Sequence, residues 1–135
     1  MTLGSLLTLF VVQSCADTKE TGLTVKSFDG LADPDDTYLV PGIQAINEQV
    51  VNNDWYAVIH DNEHLDKPLL EGLKVFIQES RADVLVLLQR IGDTYYRCPR
   101  VFRKDVMLRK DSLLPERETG LEFDTVLNGF IREND

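Results

Sequence analysis

The chain has 135 residues, of which 43% are hydrophobic and 27% charged, and its 14 Lys and Arg against 23 Asp and Glu give a formal net charge of −9. This is the size of one ordinary globular domain, spanning 1–135, and it excludes global disorder and collagen-like or coiled-coil character. So acidic a chain repels phosphate backbones, so no nucleic-acid polymer is expected as a partner, although a small nucleotide held through a metal stays open.

Cys15 and Cys98 lie far apart, match no zinc or redox spacing, and read as reduced thiols of a cytoplasmic protein. The apolar run from Leu6 to Val12 precedes Ser14-Cys15, where a short signal has to be weighed. No Lys or Arg stands before it and it is only seven residues long, so it reads as a buried first strand instead. No run approaches the ~18 apolar residues of a membrane span, which predicts a soluble chain.

Leu23 to Phe28 alternates apolar and polar and stops at Asp29-Gly30, a strand ending in a turn. Pro41 opens a helix on which Ile43, Ile46 and Val50 recur at helical spacing. Trp55 to Ile59 is a third apolar strand, followed by a polar loop from His60 to Asp66. Pro68 then opens a second helix with Leu69, Leu73, Phe76 and Ile77 on its apolar face and Asp66 as its cap. Val84 to Leu88 reads as a central strand and Gly92-Asp93 as a turn. Tyr95 to Met107 is a partly exposed strand or hairpin interrupted at Pro99, and Leu121, Val126, Leu127, Phe130 and Ile131 predict a last amphipathic helix. Apolar strands alternating with helices predict an α/β fold: a single three-layer domain with a mostly parallel, Rossmann-like sheet. In such a sheet ligands gather at the carboxyl ends of the strands, which places Asp29 and the segment from Asp61 to Asp66 on one edge.

The sharpest local feature is Asp61-Asn62-Glu63. Carboxylates two residues apart after a strand can both reach a hard divalent cation, Mn²⁺ or Mg²⁺, which takes oxygen ligands and shares them with phosphates. The plainer reading is a solvated loop that caps a helix. Zinc on His60 and His64 would need both on a helix, which this segment does not predict.

The stretch from Gly42 to Leu65, with a helix carrying Ala45 and Asn47, a short link, Asp54-Trp55-Tyr56, an apolar strand and Asp61-Asn62-Glu63, resembles the central block of family 2 glycosyltransferases of the GT-A type. Ala82-Asp83-Val84 and Pro99-Arg100-Val101-Phe102-Arg103-Lys104 follow in that family's order. The resemblance implies a metal-dependent transfer of a sugar from a nucleoside diphosphate donor to an unknown acceptor. Asp29 would contact the base, Asp61 the ribose or the metal, and Glu63 the metal that bridges the diphosphate. Such an ion offsets charge developing on the leaving group. Glu122 and Asp124 would be the candidates for the general base, although Glu122 also suits a helix start.

Residues 90 to 110 hold seven Lys and Arg against Asp93 and Asp105. Arginine forks here, Arg100 and Arg103 among them, suit a diphosphate, an anionic acceptor or another chain, including a second copy of this one. Tyr95 and Tyr96 could stack on a sugar or a base, or simply pack. The alternative function is therefore a non-catalytic binding or assembly protein that uses this basic segment. The charge is unevenly spread: residues 1–80 hold 4 basic and 13 acidic side chains, and residues 81–135 hold 10 of each.

Overall fold

The computed structural model describes residues 23–27, 38–40, 43–49, 54–60, 62–110, 112–117 and 119–133. The apolar run at 6–12, Cys15, Asp29 and Asp61 lie outside them. The described elements are β1 (Leu23–Ser27), β2 (Tyr38–Val40), α1 (Ile43–Gln49), β3 (Trp55–His60), β4 (Glu63–Leu65), α2 (Lys67–Glu79), β5 (Val84–Ile91), β6 (Thr94–Arg103), β7 (Phe123–Thr125) and β8 (Ile131–Glu133).

The strands form one sheet in the order β2-β1-β3-β6-β5-β8-β4, with β7 also pairing β5. Pairings β1–β2, β1–β3, β3–β6, β5–β6 and β4–β8 are antiparallel, and only β7 and β8 run parallel to β5. The three-layer, mostly parallel Rossmann-like α/β architecture is thus corrected to a mixed sheet curled into a half-barrel. The short link between β3 and β4 requires the curl. In a flat sheet β4 would lie four strands from β3, about 19 Å away at the usual spacing. His60 and Glu63 are only three Cα steps apart, a reach of about 11 Å. The sheet curls to let one follow the other.

The antiparallel pairing also removes the shared ligand edge. Leu23 lies opposite His60 and Ser27 opposite Tyr56, so the carboxyl ends of β1 and β3 point to opposite edges.

The middle of the sheet is covered on both faces, and β3 is buried from Trp55 to His60. Trp55, Ala57 and Ile59 pack with Leu85, Leu87, Val101 and Ile131 against Leu69 and Leu73 of α2. Tyr56 and Val58 pack with Val84 and Phe102 against Ile43 and Ile46 of α1 and the following strap of Val106 and Leu108. Asn47 ties α1 to that strap, exchanging two 3.1 Å hydrogen bonds with the backbone of Leu108. Tyr56 stacks on Phe102 with centroids 5.4 Å apart and donates its hydroxyl to Val106 O at 2.7 Å. Burial, with Asp105 as a smaller contributor, raises the Tyr56 phenol far above its usual value of 10.0.

The amphipathic helix expected around 121–131 is absent among the described residues. Its place is taken by β7, β8 and a turn at Asn128-Gly129, where Gly129 takes φ 98°. A helix cannot pass through that conformation. Val126 N–H donates to Val86 O at 2.9 Å, so the chain follows β5 instead of coiling. Asp66 caps α2 as expected, accepting from Leu69 N–H at 3.1 Å, and also accepts from Phe130 N–H at 3.0 Å and Arg132 Nε at 3.1 Å. One carboxylate thereby joins the helix start to β8.

Asp66→Ala should lower stability by about 2 kcal/mol in urea titration, because a helix cap and an intersegment tie are lost together. Gly129→Ala should cost at least as much, since its φ is strained for any Cβ and that Cβ would strike Asp66 and the Leu69 backbone. Tyr56 sets an alkaline limit. Its folded pKa is raised, so its contribution is complete below about pH 10 and falls above it, where the unfolded phenol ionises and the folded one does not, by about 1.4 kcal/mol per pH unit. Tyr56→Phe should cost about 1 kcal/mol at pH 7 and flatten that alkaline slope in thermal melts from pH 8 to 11.

Candidate functional site

Two side chains expected at a metal and diphosphate site meet inside the protein, but they meet each other. Leu85 pairs with Val101 and Val86 with Pro99, so Arg100 is the extra residue of a β-bulge in β6. Bulges redirect side chains, and this one sends Arg100 into the interior, fully buried. From the start of β4, Glu63 faces it. Arg100 Nη1 donates to Glu63 Oε1 at 2.8 Å and Nη2 to Oε2 at 3.3 Å, with side-chain exposures of 0% and 2%. His60 N–H adds a bond to Oε1 at 2.9 Å and Gln89 Nε2 one to Oε2 at 2.7 Å. Arg100 Nη1 also reaches Val58 O at 3.2 Å.

Both carboxylate oxygens of Glu63 are therefore held by internal donors. A divalent cation at Glu63 would have to displace a guanidinium in the core, so this residue does not fit the metal role expected of it. Among the described residues no group of three or more His, Cys, Asp or Glu is placed to hold a metal ion. Beside the pair, Cys98 is buried and disulfide-bonded, with Sγ 3.5 Å from Gln89 Oε1, which corrects the expectation of a reduced thiol at that position.

The other expected site residues are dispersed. Arg103 lies over the Trp55 ring, Cζ 4.3 Å from its centroid, and donates to Ala82 O at 2.8 Å and Ser80 O at 3.0 Å. It secures the end of α2 rather than a ligand. Glu122 is bound by its backbone to Asp83, and Asp124 accepts from Ser80 Oγ at 3.1 Å, both near the start of β5 and outside the Glu63 cluster. Close to them a cleft of about 350 Å³ opens between Asp83, Asp105, Met107, Glu116, Arg117 and Leu121.

A different surface has the chemistry expected of residues 90 to 110. At the far end of β5 the strand alternation turns Leu65, Ile131 and Gln89 inward. Their neighbours His64, Arg132 and Arg90, with Tyr95 and Arg97 on β6, take the opposite, exposed face. Tyr95 lies opposite Arg90, and Arg97 opposite Leu88. Across β5, Tyr95 stacks on Phe130 with centroids 5.5 Å apart and rings 17° from parallel. Arg90 and Arg132 lie 5.8 and 5.5 Å from the Phe130 centroid. Among the described residues neither Arg90 nor Arg97 forms an ion pair with a carboxylate, whereas Arg132 is paired with Asp66. Arg90 and Tyr95 were legible as members of a cationic, aromatic segment. Phe130 and Arg132 were missed because the helical reading of 121–131 separated them from it.

No family model, curated protein or solved structure matches this chain.

Removing one partner of the buried pair leaves an uncompensated charge. Glu63→Ala should therefore cost about 3–5 kcal/mol in urea titration, whereas Glu63→Leu combined with Arg100→Met should recover most of that loss. A double variant no more stable than Glu63→Ala would refute the assignment of the pair as a self-contained core element.

Proposed function

We propose that the chain is a non-catalytic binding protein that takes an anionic partner on the exposed face formed by Arg90, Tyr95, Arg97, Phe130 and Arg132. The observation that carries this reading is the stack of Tyr95 on Phe130, with Arg90 and Arg132 beside it and Arg97 on the same face. Exposed arginines without carboxylate partners are available to an incoming anion, and their planar forks suit carboxylate, sulfate or phosphate groups. Sugar transfer has less support. It called for carboxylates gathered on one edge of a parallel sheet, whereas Glu63 is enclosed by Arg100 and Glu122 and Asp124 lie elsewhere.

A chain of net charge −9 has no overall reason to bind a negatively charged resin, so retention there reports a local cationic face. The protein should be held on a sulfonate resin at pH 7 and low salt, and released as salt shortens the Debye length to about 8–10 Å. Arg90→Glu with Arg97→Glu should flow through, while Lys74→Glu on the outside of α2 should still be retained. An unmodified protein that flows through at low salt would overturn the reading.

A further inference from the structure

We infer that the anionic partner is an acidic saccharide chain, a polyuronate, recognised by a sugar ring on Tyr95 and a carboxylate on Arg97 or Arg90. This rests on the anion-binding reading above and names its ligand class. Tyr95 is 59% exposed even though it is stacked on Phe130. Phe130 is in turn flanked by two guanidinium groups. The Tyr95 ring is therefore a platform oriented before any ligand arrives, which lowers the ordering cost of binding. The negative face of an aromatic ring attracts the partly positive C–H groups on the flat side of a pyranose.

The anion position follows from the strand register. Arg90 is directly across from Tyr95, where Cβ atoms are about 5 Å apart, and Arg97 is two residues along the same strand, about 7 Å away. Both distances suit a carboxylate carried on the very ring that stacks. A uronate holds its charge in that way, one carboxylate per sugar.

Other polyanions fit less well. Nucleic acid carries one charge per about 1.7 Å of duplex, and a membrane surface is broad, so either would meet the repulsion of the whole acidic chain rather than this face alone. An acidic peptide in extended form adds to a sheet edge through its backbone, whereas these side chains stand on a sheet face.

The test is calorimetric titration of the full chain with tetragalacturonate, with polyglutamate and phosphatidylserine vesicles as the alternative polyanions. Tetragalacturonate should bind more tightly than either alternative. Tyr95→Ala and Arg97→Gln should each weaken that binding about tenfold and Tyr95→Phe should preserve it, with the melting temperature unchanged in Arg97→Gln and Tyr95→Phe. Polyglutamate or vesicles binding as tightly as the saccharide, or affinity for the saccharide indifferent to Tyr95→Ala, would overturn the saccharide class and leave the anion-binding face intact. Retention on the sulfonate resin without binding to tetragalacturonate would do the same. Failure on resin and saccharide alike would overturn both readings.

Discussion

Glu63 and Arg100 join two strands across the curl of the sheet. β4 follows β3 after two residues yet lies at the other end of the sheet path, and the ion pair joins the start of β4 to the middle of β6 across that curl. Pairs of this kind add little net stability over apolar residues of the same shape, because desolvation cancels most of the attraction. What this pair supplies is geometry. Four hydrogen bonds to two oxygens, with His60 N–H and Gln89 as further donors, are satisfied in one arrangement, and that arrangement fixes the bulge at Arg100 and the position of β4 together.

The remaining polar ties extend the same logic outward. Asp66 follows β4 directly and links the start of α2 to Phe130 and Arg132, so the helix, the last strand and the aromatic stack share one anchor. Arg103 holds the other end of α2 over Trp55. The basic segment that looks uniform along the chain is thus divided by the fold. Arg100 and Arg103 are structural, and Arg90 and Arg97 are left at the surface. The exposed cationic face stands at one end of β5 and the acidic cleft near Asp83 at the other, so an acidic chain carries two separate electrostatic poles.

Several elements were readable because their cause is local. Asp66 and Pro68 marked the start of α2, Gly92-Asp93 marked the β5–β6 hairpin, and Gly92 does take φ 61° there. The apolar run from Trp55 signalled a strand, and the fold buries that strand throughout. Reading it as parallel was a further step, and antiparallel strands buried between α1 with its strap and α2 produce the same run. The segment from Leu121 to Ile131 failed for a related reason. Its apolar residues suit a helix, but also two short strands on either side of a turn, and Asn128-Gly129 was the turn signal that could have decided between them.

Glu63 and Arg100 show the limit most clearly. Spacing placed Glu63 beside other oxygen ligands and Arg100 among other cations, and both patterns are real in one dimension. Their partners, 37 residues apart, are set by sheet order and by a bulge, neither of which has a period to read. The sequence by itself determined which segments are apolar, where α2 and the β5–β6 hairpin begin and turn, and how charge divides between the two halves, because these depend on neighbours along the chain. Only the tertiary structure decided which strands pair and in which direction, which charges are buried against one another, and which of the described arginines stand at the surface, because those depend on groups brought together across the curl of the sheet.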